Sequence, residues 1–222
     1  MSKVESEVSV VNYMRQEGLP MFITFEGGEG SGKTTVISKV AEKLKEHGHE
    51  VLVTREPGST KLGEHVRDCL LNPDIGFTFG SRAELLLYLA SRVQHIDEVI
   101  RPAFSEGKVV LCDRFNDSSV AYQGGGRGLG IENVQQLCDL ACGGLTPDLT
   151  FFLDLDPEVG MSRIERSKDR LEGEKVEFHQ KVRDTYHQLA KLHPRIHVIN
   201  ASKPQEEVYL EVLDILDRYL TN

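Results

Sequence analysis

The sequence lacks the features that mark membrane proteins and broad nucleic-acid-binding surfaces. No apolar run approaches the roughly 20 residues that a membrane-spanning helix needs. The formal net charge is −9, from 26 basic and 35 acidic residues, so there is no excess of lysine and arginine to displace counterions from a nucleic acid. We therefore expect neither a membrane nor a nucleic-acid partner, although a single cleft can still be basic.

Cysteine is scarce, and its spacing matches no common zinc-binding pattern. We expect reduced, buried thiols at all four positions, Cys69, Cys112, Cys138 and Cys142. The first 20 residues contain acidic side chains and no continuous apolar core, so they do not resemble a signal peptide. These observations predict a cytoplasmic protein whose core needs neither disulfides nor a structural metal.

Short apolar runs alternate with longer helical patterns, which is typical of βαβ units around a parallel sheet. Five strands are predicted, at 21–25, 51–55, 109–113, 149–155 and 195–200, and the almost wholly apolar third strand should lie inside the sheet. Helices are predicted at about 33–47, 60–71, 81–105, 131–142, 157–166, 176–193 and 205–220, with a distortion caused by Pro102. We therefore predict a three-layer α/β/α domain over residues 21–222, after a loosely attached extension of residues 1–20.

A glycine-rich motif lies between the first predicted strand and the first predicted helix. It fits G-x-x-x-x-G-K-[ST], the P-loop pattern, in which glycines let consecutive backbone N–H groups turn toward a phosphate. Lys33 can bind the β- and γ-phosphates, and the Thr34 hydroxyl can bind Mg²⁺. The alternative is a glycine turn that only joins strand to helix. The candidate ATP-binding residues are Gly27, Gly28, Glu29, Gly30, Ser31, Gly32, Lys33, Thr34 and Thr35.

Asp113 is the candidate for a second Mg²⁺ ligand. It follows the apolar run 109–112, at the end of the third predicted strand. The carboxyl ends of parallel strands meet at one edge of a sheet, so Asp113 should face the same crevice as the P-loop. A helix N-cap or a loop salt bridge would be the alternative role for this side chain.

Five segments, in order, resemble the thymidylate kinase family. They are FEGGEGSGKTT (25–35), TREPGST (54–60), YLASRVQHIDEVIRPA (88–103), DRFNDSSVAYQGGGRGLG (113–130) and PDLTFFLDLDPEVG (147–160). The resemblance implies a P-loop nucleoside-monophosphate kinase fold with a five-stranded parallel sheet and a helical lid. It also implies the reaction ATP + dTMP → ADP + dTDP, with Mg²⁺, in a protein that is usually a homodimer.

The resemblance assigns substrate-binding roles to residues outside the P-loop. Tyr88 and Arg92 lie four residues apart on one helix face. Tyr88 would stack on thymine, and Arg92 would donate a hydrogen bond to a thymine carbonyl. The alternative is a core tyrosine beside a surface arginine. Glu29 would accept from the sugar 3′-hydroxyl. Arg55 and Arg114 would hold the 5′-phosphate, unless they are solvated surface arginines. Three more residues would line the base and sugar, with Tyr122 crowding the 2′ position: Ser119, Tyr122 and Gln123.

The charged segment at about 163–175 corresponds to the lid. This P-loop has no basic residue besides Lys33, so the chain resembles the thymidylate kinases that carry catalytic arginines in the lid. Arg166 and Arg170, with Lys33 and Arg114, are therefore the catalytic candidates, and Glu172 is a possible assistant. Arg163 and Lys168 belong to the same basic cluster, for which a solvated charged loop is the alternative.

Three other functions stay open at this stage. The chain could be a kinase for another nucleotide or for a deoxynucleoside, although the latter would usually need a base near the 5′-hydroxyl rather than extra arginines. A P-loop switch would need a water-positioning residue and a reordering surface, and neither has a clear candidate. A paralogue that only binds nucleotide is disfavoured by the intact Lys33, Thr34, Asp113 and Arg114.

Overall fold

The structure is a computed structural model that describes residues 20–164 and 169–221. The predicted N-terminal extension, except for residue 20, lies outside the described residues, as do Arg166 and Lys168. None of the helices in the described part of the chain is long and apolar enough to cross a membrane.

All five predicted strands form one parallel sheet, which confirms the predicted fold class. The strands are β1 Met21–Glu26, β2 Val51–Arg55, β3 Val109–Asp113, β4 Leu149–Asp154 and β5 Ile196–Asn200. Their order is β2-β3-β1-β4-β5, and every neighbouring pair is parallel. The wholly apolar run of β3 therefore lies inside the sheet, as predicted, next to the middle strand β1.

Helices cover both faces of the sheet. The helices of the described residues are α1 Lys33–Glu46, α2 Lys61–Leu71, α3 Ser81–His95, α4 Arg101–Ser105, α5 Asn116–Ser119, α6 Ile131–Cys142, α7 Pro157–Ser162, α8 Val176–Leu192 and α9 Gln205–Thr221. Ile23 and Phe25 of β1 pack in one core with α1 and α9, whereas Phe22 packs on the opposite face with Ile100 and Phe115. This alternation follows from the two-residue period of a strand and produces the predicted three layers.

The long helix predicted over 81–105 is interrupted by a π-helical turn at Ile96–Ile100 that joins α3 to α4. The predicted distortion is confirmed, and it lies one turn before Pro102. Proline has no N–H to donate to an earlier carbonyl, so the hydrogen-bond pattern must change in the preceding turn.

A helical segment that the sequence did not predict follows β3. It comprises α5 and a π-helical continuation, Val120–Gly126. Its glycines are poor helix formers in isolation. Packing against α8 overrides this preference, because a β-carbon on Gly125 would lie 1.9 Å from Oγ1 of Thr185. Close contact between these two elements requires glycine here.

The helix predicted over 157–166 is shorter than expected, and the described residues of the predicted helical lid are not helical. α7 ends at Ser162, and residues 163 and 164 are not helical. The described residues 169–175 form turns and a bend rather than a helix. The Asp169 carboxylate explains part of this, because its Oδ1 accepts from the backbone N–H groups of Leu171 and Glu172, both at 2.9 Å. Such local side-chain bonds compete with helix formation.

Candidate active site

A cleft of about 1330 Å³ opens at the carboxyl ends of β1, β2 and β3. These strand ends carry the glycine loop, Arg55 and Asp113, respectively. The structure brings most of the predicted site residues to the wall of this one cleft: Glu29, Gly30, Ser31, Gly32, Lys33, Thr34, Thr35, Arg55, Tyr88, Arg92, Asp113, Arg114, Ser119, Tyr122 and Gln123.

The glycine loop curls over the start of α1. Gly27, Gly30 and Gly32 have φ values of 133°, 68° and 88°, a region that favours glycine. The Lys33 Nζ donates to the carbonyls of Gly27 and Gly28 at 3.1 and 3.0 Å. The loop is therefore folded around the lysine at the positive end of a helix, the arrangement that binds phosphates in P-loop proteins.

Two glycines allow α7 to pack directly on this loop. A β-carbon on Gly30 would lie 2.3 Å from the carbonyl oxygen of Gly160, and one on Gly160 would lie 2.3 Å from the carbonyl oxygen of Glu29. Arg163, just after α7, donates from Nη1 to the Gly30 carbonyl at 3.1 Å. The segment that leads into the lid region is thus attached to the loop.

Lys33 and Arg114 make the cleft attractive to anions. Lys33 is only 8% exposed. Burial, and then the positive charge of Arg114, lower the pKa of Lys33, while Glu29 and Asp113 act in the opposite direction. An anion bound between Lys33 and Arg114 would offset both the cost of burying the Lys33 charge and its repulsion by Arg114.

Arg114 is held at the cleft by its backbone and by several partners. It is a non-glycine residue with a φ of 71°. Its guanidinium forms an ion pair with the Glu29 carboxylate, donates to Ser118 Oγ at 3.3 Å and lies 5.0 Å from the centre of the Tyr122 ring. These contacts fix the guanidinium beside the glycine loop.

Glu26, the last residue of β1, is a further buried residue at the site, and it was not identified from the sequence. Its buried carboxylate accepts from the Phe115 backbone N–H at 2.7 Å, from Ser118 Oγ at 2.5 Å and from the Tyr186 hydroxyl at 2.8 Å. Burial, followed by the nearby Asp117, raises the pKa of Glu26 to about 7. A carboxylate at the end of a buried strand was the signal that could have identified it.

Asp113 and Thr34 are the residues that could hold a metal ion. Asp113 Oδ1 is buried and has no hydrogen-bond partner, although the residue lines the cleft. No group of three or more His, Cys, Asp and Glu side chains within residues 20–164 and 169–221 could bind a metal. One carboxylate and one hydroxyl suit Mg²⁺, which usually takes its remaining ligands from phosphates and water.

Two helical segments line a further part of the same cleft, called the second recess below. α3 carries Glu84, Tyr88 and Arg92 at four-residue intervals, and the segment after β3 carries Ser119 and Gln123 at the same interval. Arg92 Nη1 donates to Ser119 Oγ at 3.0 Å, and Gln123 Nε2 donates to Glu84 Oε1 at 3.0 Å. Tyr88 lies between Glu84 and Arg92 along α3 and is 9% exposed.

Arg92 is buried rather than a surface residue, with 1% of its area exposed. Its Nε donates to Glu56 Oε2 at 2.6 Å, and its Nη2 donates to the Phe115 carbonyl at 3.0 Å. Burial alone would lower the pKa of Arg92, but the Glu56 carboxylate outweighs it and raises the pKa. Glu56 also contacts His95 Nδ1 at 2.9 Å. The sequence did not identify this carboxylate as the partner of Arg92.

Arg55 lies at the mouth of the cleft. It is an exposed residue, and its Nη2 donates to both Glu64 carboxylate oxygens, at 3.0 and 3.2 Å. Arg67, which the sequence did not single out, lines the same wall and donates to the Pro57 carbonyl at 3.0 Å. The side chains of Arg55 and Arg67 therefore place two guanidinium groups at the wall of the cleft.

The structure does not bring Arg170 into the cleft. Its Nη2 donates to Glu84 Oε2 at 2.6 Å, its Nε donates to the Leu70 carbonyl at 2.7 Å, and its guanidinium lies 4.9 Å from the centre of the Phe79 ring. Arg163 and Glu172 do line the cleft, whereas Arg166 lies outside the described residues.

Comparisons with known proteins show which proteins this chain is similar to. The family model described as thymidylate kinase matches residues 25–212. The chain is 47% identical over 206 residues to a thymidylate kinase of Protochlamydia amoebophila, covering 88% of this chain and 92% of the relative. It is 49% identical over 198 residues to one of Synechococcus sp., covering 89% and 94%. The crystal structure of thymidylate kinase from Ehrlichia chaffeensis superposes with a TM-score of 0.73 at 39% identity, covering 89% of this chain and 98% of that one.

Proposed function

Because this chain belongs to the thymidylate kinase family, it phosphorylates dTMP to dTDP with ATP, and we propose that the transfer takes place in the cleft at the carboxyl ends of β1, β2 and β3. The assignment of the site rests on one observation: two different groups of residues line the same cleft. A glycine loop with a buried lysine faces a recess lined by arginines and a tyrosine. The first part suits a polyphosphate, and the second suits a nucleoside monophosphate.

In this proposal the glycine loop holds ATP. Backbone N–H groups of Gly27 to Thr35 surround the phosphates, and Lys33 places its charge on the β- and γ-phosphates. Thr34 and Asp113 fit a Mg²⁺ ion, because Asp113 Oδ1 is a buried acceptor without a hydrogen-bond partner. When bound, the ion would neutralise charge on the phosphate oxygens.

The second recess holds dTMP. Tyr88 stacks on thymine, Arg92 donates to a thymine carbonyl, and Ser119 and Gln123 line the base. Arg92 enters this role already fixed by its bonds to Glu56, Ser119 and the Phe115 carbonyl, so little conformational entropy is lost when the base binds.

The sugar and phosphate of dTMP extend toward the glycine loop. Glu29 accepts from the 3′-hydroxyl, and Tyr122 occupies the space that a 2′-hydroxyl would need. Arg55 and Arg114 bind the 5′-phosphate. The Glu29–Arg114 ion pair keeps these two groups side by side at the point where the phosphate would lie.

Transfer needs positioning and charge stabilisation rather than a covalent intermediate. Arg114 stands next to Lys33 and can stabilise charge on the transferred group. Arg170 would have to break its hydrogen bonds to Glu84 and to the Leu70 carbonyl before it could stabilise charge on the transferred group. Arg166 and Glu172 remain predictions for this role.

We also propose that the chain acts in the cytoplasm as a homodimer. Large apolar side chains are exposed on the outer surfaces of α3 and α6: Leu86, Val93, Leu137 and Leu140, with Leu140 80% exposed. A second copy would cover this surface. Light scattering should then give about twice the mass of the chain, and Leu140→Glu should shift the protein toward the monomer.

The binding assignment is tested by ADP release with dTMP, dUMP, dCMP and thymidine as acceptors. Tyr88→Ala should raise the KM for dTMP by on the order of tenfold to a hundredfold, because stacking on a base contributes about 1–3 kcal/mol. The KM for ATP should stay unchanged. Tyr219→Ala, at an exposed tyrosine of α9, is the matched control. An effect of Tyr88→Ala on ATP alone would contradict the assignment of the recess.

A further inference from the structure

Glu84 is a buried carboxylate directly behind the proposed base recess. We infer that Glu84 is a positioning residue that fixes which end of the Gln123 amide faces the base, and that it thereby favours thymine over cytosine. The inference rests on the proposed placement of the base beside Tyr88. Glu84 lies one helical turn before Tyr88 and is 1% exposed.

Glu84 is surrounded by donors. It accepts from Gln123 Nε2 at 3.0 Å, from Arg127 Nε and Nη2 at 3.1 and 3.2 Å, and from Arg170 Nη2 at 2.6 Å. Burial acts to raise the pKa of Glu84, but the hydrogen bonds from Arg127 and Gln123 outweigh it and lower the pKa. Glu84 is therefore ionised, and an ionised carboxylate can only accept hydrogen bonds.

This charge determines the orientation of the Gln123 amide. Only the NH₂ end of the amide can face an ionised carboxylate, so the oxygen end must point away from Glu84. Gln123 and Tyr88 line the same cleft. The group that it offers to a base in the recess is therefore an acceptor. Without Glu84, the two ends of the amide could exchange.

The two sides of the recess then have opposite polarity. Arg92 has donors only, and Gln123 offers an acceptor. Thymine has an acceptor at O4 and a donor at N3–H, whereas cytosine has a donor at its 4-amino group and an acceptor at N3. The recess therefore matches the edge of thymine at both positions. Cytosine would place its 4-amino donor against the Arg92 donors and its N3 acceptor against the Gln123 oxygen. Both pairs would leave buried polar groups without a hydrogen bond.

Glu84→Gln tests this inference in the full-length chain. The new amide can donate to the Gln123 oxygen and so allow Gln123 to turn its NH₂ toward the base. We expect the ratio of kcat/KM for dTMP to that for dCMP to fall by on the order of tenfold or more, through loss with dTMP and gain with dCMP. The KM for ATP should not change, because the hydrogen bonds of Glu84 go to Gln123, Arg127 and Arg170 and not to the glycine loop.

Glu174→Gln is the matched control. It removes the ion pair between Glu174 and Arg127 but leaves the Glu84 carboxylate with its donors Gln123, Arg127 and Arg170. The dTMP/dCMP ratio should stay at the wild-type value even if the protein melts earlier. An equal fall in this ratio in Glu174→Gln would overturn the inference, because loosening of the ion-pair cluster would then explain the result.

Gln123→Met provides a second measurement, which tests the role of the Gln123 amide if Glu84→Gln does not fold. Methionine offers neither a donor nor an amide oxygen, so dTMP should lose kcat/KM while dCMP gains little. An unchanged dTMP/dCMP ratio in Glu84→Gln, or in Gln123→Met if that is the only folded variant, refutes the role of Glu84. Failure of Tyr88→Ala to affect dTMP would instead refute the proposed base recess itself.

Discussion

Replacing Arg92 with methionine should lower both the stability of the chain and its affinity for dTMP. The buried guanidinium donates to Glu56 Oε2 at 2.6 Å, to Ser119 Oγ at 3.0 Å and to the Phe115 carbonyl at 3.0 Å. Methionine fills much of the same volume but cannot donate a hydrogen bond. The Glu56 carboxylate, 3% exposed, would keep its contact with His95 Nδ1 at 2.9 Å.

The size of the effect follows from this burial. Removing one partner of a buried ion pair costs about 3 to 5 kcal/mol. Because the hydrogen bond between Glu56 and His95 remains, we expect a value at the low end of this range, about 3 kcal/mol. In a chain of 222 residues this corresponds to a fall in Tm of roughly 10 °C. The KM for dTMP should rise as well, because Arg92 no longer donates to the base.

Thermal unfolding without nucleotide and steady-state kinetics measure the two effects separately. Glu56→Gln and the double variant Arg92→Met/Glu56→Gln complete a cycle, in which the double variant should lose less stability than the sum of the single variants. Additive losses would refute the reasoning, as would an Arg92→Met protein whose Tm lies within about 2 °C of wild type.

Three further predictions concern the glycine loop and its support. Lys33→Ala should lower kcat by about a hundredfold or more while Tm is retained, because the desolvated ammonium acts on the phosphates rather than on the core. Gly160→Ala should cost about 1 to 3 kcal/mol of stability and raise the KM for ATP, since its β-carbon would meet the Glu29 carbonyl oxygen at 2.3 Å. Glu26, whose pKa is raised from 4.5 to about 7, keeps its proton in the folded state after the unfolded chain has lost it. Its contribution to the free energy of unfolding should therefore fall as the pH rises from about 4.5 to about 7, and Glu26→Gln should remove this part of the pH dependence.

Each of these predictions has its own control. Near-normal turnover by Lys33→Ala would show that the lysine has another role. Gly80→Ala, where an added β-carbon meets no atom within 4 Å, should cost less stability than Gly160→Ala, and an equal loss in both glycine variants would contradict the packing argument. For Glu26, denaturant unfolding at pH 5 and pH 8 is compared with that of Glu26→Gln; equal pH slopes in both proteins would argue against the raised pKa.

The sequence by itself determined the sheet and the phosphate-binding loop. The apolar runs defined all five strands to within one residue at either end, because a buried parallel strand must be apolar on both faces. The loop was predictable because its glycines are required locally, by positive φ values at Gly27, Gly30 and Gly32. Asp113 was identified for a related reason, since the end of an inner strand must open on the edge of the sheet.

Only the tertiary structure decided which charges meet. Glu26, Glu56 and Glu84 are buried carboxylates whose partners lie between 36 and 160 positions away along the chain. No local pattern encodes such pairs, because any arginine could in principle meet any carboxylate. The same is true of Arg170, which has the composition expected of a lid arginine but is paired with Glu84. Local geometry thus determined where phosphate can bind, whereas long-range packing determined which polar groups face the base.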